Sequence, residues 1–188
     1  MVKEKHIFCN FYLRFSFYID GVYTVIDMAT AYGQALGLDS TGLLLALLVT
    51  QIVAFPSVLS FRKDRKKVSP EKIITVCIMA YFGIAVYAYW LDTQFDFWML
   101  AVLVGMFQGT IQALSRSYFA KIIPAEKSGE YFGIYDICGK GASVIGTALV
   151  SFISQMTGSI NIAVSALSVM FLVGLVLLDI RAKLNSVR

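Results

Sequence analysis

Two stretches without a single charged side chain, Leu43–Phe61 and Ile73–Leu91, constrain this chain more than anything else in it. Each approaches the roughly 20 residues that a helix needs to cross the hydrocarbon of a bilayer. Over the 188 residues, 58% are hydrophobic and only 15% are charged, more apolar surface than a soluble domain of this length can hide. The principal solvent is therefore lipid, where a spanning segment satisfies its own backbone by becoming a helix. The predicted fold is all-α: a polytopic membrane protein of six transmembrane helices. The spans fall at about 8–32, 43–61, 73–91, 97–118, 131–153 and 162–178, in a single domain over residues 1–188. Lys3 and Lys5 ahead of an apolar run superficially suggest a signal peptide, but Arg14 and Asp20 interrupt that run, so it is read as the first span. Pro56 is expected to kink the second.

The basic residues are distributed in step with this count. Lys and Arg number two before the first span and none in the next connection, then six, none, three, none, and three after the last span. Arg116 is counted here at a helix end, which leaves Arg14 and Lys140 inside spans. Basic residues favour the cytoplasmic side, so the pattern predicts both termini in the cytoplasm, with the plasma membrane as the expected location. The run of six lies in Arg62–Lys72 and reads as a solvated loop, with an anionic-lipid or nucleic-acid patch as the sharper alternative. No aromatic side chains interleave with these charges to stack on bases, and nucleic acid is not an expected partner.

Polar side chains inside the spans are the candidate functional residues, because polar groups survive in hydrocarbon where they face a packed interior or a wet cavity. Gln108, Gln112 and Arg116 recur every four residues beside Ser115 and form one stripe on the fourth span; Asp136 and Lys140 share a face of the fifth. Asp20 and Asp27 share a face of the first. At 1.5 Å per residue, Asp20, Lys140 and Gln108 are expected near mid-membrane, with Arg14 and Asp136 together nearer the cytoplasm and Asp27 further outward. Asp20–Lys140 and Arg14–Asp136 are read as ion pairs that neutralise one another, as working groups on a solute or proton path, or as both. Asp20 and Asp27 are the candidate proton carriers, although Asp27 also fits a hydrated place near the outer surface. Gly129, Gly133, Gly139, Gly141 and Gly146 thin the fifth span, for close helix packing or for hinge motion. An enzyme is not expected. His6 is the only histidine, no metal-ligand spacing occurs, and no phosphate-cradling glycine loop is present, so no cofactor is predicted.

Gly109 with Gln112–Pro124 (QALSRSYFAKIIP), followed by Tyr131–Lys140 (YFGIYDICGK), resembles the autophagy-related vacuolar effluxer-like branch of the major facilitator superfamily. Tyr18–Ala29, with its Asp20-Gly21 pair, is similar to that branch's seventh helix. The similarity covers nearly the whole chain, but only helices seven to twelve of a transporter built from twelve. It implies half of a major facilitator fold, as two inverted three-helix repeats, with the first and fourth helices lining the cavity and the second and fifth flanking it. It implies alternating-access transport of a small-molecule solute, amino acids being the suggested class, by proton-coupled symport or antiport. The partner would be a complementary N-terminal six-helix half or a second copy of the chain. A truncated or split-gene fragment without transport of its own is the alternative. Asp64 and Arg65 resemble the superfamily's Asp-Arg loop element, without its preceding glycine, and Tyr23 and Asp136 stand where polar amides are expected.

Overall fold

Where the helices of this chain cross, small residues meet, and many of the large apolar side chains point away from the crossing. The structure, a computed structural model, describes the backbone of residues 2–64 and 70–186 and, within these, the side chains of 18–60, 72–121, 123–124, 126–137, 139, 141 and 143–176. Among the described residues it is all helical. Helix α1 runs Val2–Ala35, α2 Ser40–Asp64, and α3 Pro70–Tyr87 with a 3-10 turn at Ala88–Trp90. Helix α4 runs Gln94–Ile122; after a second 3-10 turn at Ala125–Lys127 come α5 Ser128–Thr157, α6 Ile160–Ser165 and α7 Leu167–Ser186. Among the described residues, three segments are long and apolar enough to cross a membrane, Ser40–Ser60, Lys72–Trp90 and Gln94–Lys121, while Ser143–Thr157 and Ile160–Val176 are shorter apolar stretches.

Local chemistry sets the ends of these helices. Asp39 accepts the N–H of Gly42 at 2.8 Å as α2 begins. Thr93 and Asp96 form a reciprocal capping box at the start of α4. Gly158, at φ +67°, closes α5 through its N–H to Ser154, a left-handed conformation that costs a glycine little. Helix α2 runs on through Pro56. The last apolar stretch, expected as one helix over 162–178, is interrupted at Ala166. There Val169 donates back only three residues, to Ala166, and the Ser165 hydroxyl donates to Ile162, so the helical ladder tightens for a turn.

Helix α2 shows how lipid inverts the usual pattern. Ala46, Thr50 and Ala54 are buried one turn apart, whereas Leu48, Ile52 and Phe55 on other faces are 60–72% exposed. Small residues turned inward and bulky ones outward suit a helix that packs closely on one neighbour and is otherwise solvated by apolar matter. The neighbour is α4. A Cβ on Gly105 would lie 2.7 Å from the Thr50 carbonyl, and one on Gly109 2.6 Å from Val58, so the two backbones approach as only glycine permits. Helix α1 packs on α5 and α7, α3 on α4 and α7, and α5 on α6. Tyr32, donating to the Ala88 carbonyl at 2.6 Å, ties the end of α1 to the turn after α3, and Asn161 donates to the carbonyls of Tyr89 and Leu91 beside it.

Candidate functional site

The glycines of α4 hold it against α2, and Gln108, the first residue of the polar stripe, lies beside that contact. Gln108 is 8% exposed and lines a partly open cleft between α1, α2 and α4, together with Val25, Ile26, Thr50, Gln51 and Phe97. Thr50 directs its hydroxyl at the backbone carbonyls of Ala46 and Ala101, so it is already occupied. The Oε1 of Gln108 is buried and accepts from no described group. Gln112 is half-buried one turn on, and Arg116 reaches the exposed end of the stripe.

Asp20 is buried on α1 at the crossing with α5. Its Oδ1 accepts from the Gly146 backbone N–H at 3.3 Å and from the Thr24 hydroxyl at 3.4 Å. Lys140 is the partner that helix depth predicts for it. Its side chain lies outside the described residues, and Gly146 is about 9 Å further along the helix at 1.5 Å per residue. Asp27, seven residues from Asp20, is exposed. Of the five glycines expected to pack closely, Gly146 does so against Thr24 and Asp20, and Gly139 is in ordinary contact with Tyr23 at 3.4 Å. Gly129, Gly133 and Gly141 differ from that expectation. A Cβ there would meet nothing within 4 Å, because they face away from α1 on a side of α5 that the described residues leave uncovered.

Towards the other end of α4, Tyr18 and Ser115 share a buried 2.9 Å hydrogen bond that joins α1 to α4. Phe119, Phe132 and Tyr135 stack between α4 and α5, with ring centroids 4.7–6.2 Å apart. Arg116 Nη2 donates to Asp136 Oδ1 at 2.8 Å, with the two side chains 56% and 49% exposed. Asp136 therefore has Arg116 as its described partner; the side chains of Arg14 and Asp64, and all of Arg65, lie outside the described residues. With both groups half-exposed, a double-mutant cycle of Arg116→Ala and Asp136→Ala in micelles should give a coupling of only about 0.2–1 kcal/mol. A coupling of several kcal/mol would mean that the pair is sealed from water in the assembled protein.

The sequence pattern of the family described as "Vacuole effluxer Atg22 like" matches residues 2–186. The chain belongs to this family. Among its relatives is the uncharacterized MFS-type transporter YxiO of Bacillus subtilis (strain 168), 46% identical over 177 residues, which are 94% of this chain and 41% of YxiO. Autophagy-related protein 22 of Saccharomyces cerevisiae (strain ATCC 204508 / S288c) is 27% identical over 76% of this chain and 29% of its own length. Its counterpart in Cryptococcus neoformans (strain B-3501A) is 29% identical over 91% of this chain and 35% of its own length. The chain thus spans well under half of the length of these relatives. Their names are those of transport and autophagy proteins, not of enzymes.

Two features of this Atg22-like chain escaped reading from the residues. The Gly105-x-x-x-Gly109 spacing that seats α4 on α2 is a recognised signal for helix contact in apolar segments, visible beside the glutamines it positions. The Gly146 backbone N–H as a partner of Asp20 left no signal. A main-chain donor carries no residue identity, and the contact joins positions 126 apart.

Proposed function

We propose that this chain is one half of a secondary active transporter that carries a small solute by alternating access, with amino acids as the solute class and a proton as the coupling ion. The other half is a complementary six-helix unit, or a second copy of the chain. Membership of a family that includes a protein described as an MFS-type transporter supports this reading, and the observation that carries it is the burial of Gln108 and Asp20 on α4 and α1. Polar groups in that setting mark solute and ion paths. The repeat arrangement draws support from the packing: exchanging α1, α2 and α3 for α4, α5 and the α6–α7 pair turns the α2–α4 contact into α5–α1, and α1–α7 into α4–α3. Ile137, Val144, Ile145 and Phe152 on α5 are 63–72% exposed beside the open glycines, and bulky residues of α2 such as Leu48, Ile52 and Phe55 are exposed as well. Those two flanks are where the other half would dock. Asp20, Asp27, Gln108, Gln112, Asp136 and Lys140 make up the proposed solute and proton pathway, in a plasma-membrane protein with both termini cytoplasmic, an orientation supported by the alternation of basic residues.

The test is a chimera in which this chain replaces the matching segment of YxiO, purified and reconstituted in proteoliposomes. An imposed pH gradient should drive accumulation of a labelled amino acid by the chimera, and by the chain alone only if it pairs with itself. If neither preparation moves any amino acid, with or without the gradient, the chain is a fragment without this activity.

A further inference from the structure

Among the described residues, the Gln108 amide is the one buried polar group in its cleft for which the structure gives no internal employment. Its Oε1 is buried without a donor among the described residues, and the nearby Thr50 hydroxyl is committed to backbone carbonyls. Leaving an acceptor in that condition is costly, so a side chain that only filled space would be better replaced by a leucine. The walls around it are apolar, formed by Val25, Ile26, Ala29, Leu47, Phe97 and Leu100, and none of the residues that line the cleft is ionisable. A charged group of a solute would find no counter-ion there. An uncharged group carrying an N–H or O–H would satisfy this buried, unmet acceptor while its body packed on the walls.

We infer that Gln108 is a specificity-determining residue that accepts a hydrogen bond from an uncharged donor on the solute, a hydroxyl, amide or ring N–H, and so selects donors over isosteres that lack one. This rests on the reading of the cleft as part of the solute path. The selection follows from the asymmetry of hydrogen bonding in a dry site. A matched donor restores what the amide lost on burial, whereas an isostere without the donor leaves both sides unpaired.

The test uses the full chain in lipid nanodiscs and two probes of the same shape, indole with its N–H and benzofuran with a ring oxygen in that place, measured by equilibrium dialysis. Indole should bind about three- to tenfold more tightly, the increment of one neutral hydrogen bond. Gln108→Leu should bring the ratio to about one and raise the melting temperature, because it removes an unpaired acceptor; Gln108→Met serves if the leucine variant does not fold. Equal binding of the probes by the wild-type chain, or a preference for benzofuran, overturns the inference. So does a Gln108→Leu variant that keeps the preference or melts below wild type, which is the behaviour of an amide with a purely structural role. Uptake by the YxiO chimera without indole preference overturns this inference alone; indole preference lost in Gln108→Leu, with no transport by the chimera, supports the donor-reading subsite and overturns the transporter reading.

Discussion

Replacing Gly146 with alanine should lower the stability of the folded chain by about 1–3 kcal/mol, the range for overpacking a filled interior, read as a lower melting temperature and a smaller folded yield. The added Cβ would run into the Thr24 hydroxyl and approach Asp20 Oδ1 to 2.9 Å at the crossing of α1 and α5. It would also push apart the N–H and carboxylate that hydrogen-bond there. Thr24→Ala removes the first obstacle, so the double variant should recover part of the loss. Gly141→Ala, five residues earlier on the same helix, should instead be neutral or stabilising in the isolated chain. A Cβ there meets nothing, and alanine is about 1 kcal/mol better than glycine in a helix. If both glycines tolerate alanine equally, the α1–α5 crossing is not as close as the structure places it. If Gly141→Ala becomes harmful only in the YxiO chimera, the open flank of α5 is covered there by the other half.

Asp20→Asn should separate the proton from the fold. Asparagine keeps an acceptor oxygen for Gly146 and Thr24 but has no proton to exchange at ordinary pH. Stability should therefore change by no more than about 1 kcal/mol. In the chimera, accumulation driven by a pH gradient should fall roughly tenfold or more, the size of effect expected when an interaction needed only in the working step is removed. Exchange of labelled for unlabelled solute without a gradient should persist, because that half-cycle moves no net proton. Undiminished gradient-driven uptake would remove Asp20 from the coupling mechanism, and loss of both activities with normal folding would place it in solute binding instead.

Much of this was legible in the residues because lipid is a demanding solvent. Leu43–Phe61 and Ile73–Leu91 can be little other than helices, and a glutamine repeated every four positions has to share a face. The run Gln112–Pro124 with Tyr131–Lys140 was specific enough to point to the vacuolar effluxer-like family, which the match over residues 2–186 bears out. The partners of the charges were harder to read. Depths counted along each helix place Arg14 beside Asp136; the side chain of Arg14 lies outside the described residues, and the guanidinium found at 2.8 Å is that of Arg116, at the end of the stripe on α4. Counting along a helix says how deep a residue lies but not which way its neighbour is turned, and Arg116 reaches Asp136 across the short connection between α4 and α5.

Helical content, apolar character and family follow from composition and spacing, because each residue's preference for hydrocarbon, and the backbone's need to bond to itself within it, is a local matter. Which glycines are crowded, which amide is left without a donor and which main-chain N–H reaches a buried carboxylate depend on how far each helix is rotated and slid against its neighbours. Gly146 and Gly141 lie on one helix five residues apart, yet one is closed in by α1 and the other is bare. The assembled bundle makes that distinction, because contact between helices depends on side chains far apart in the chain arriving together.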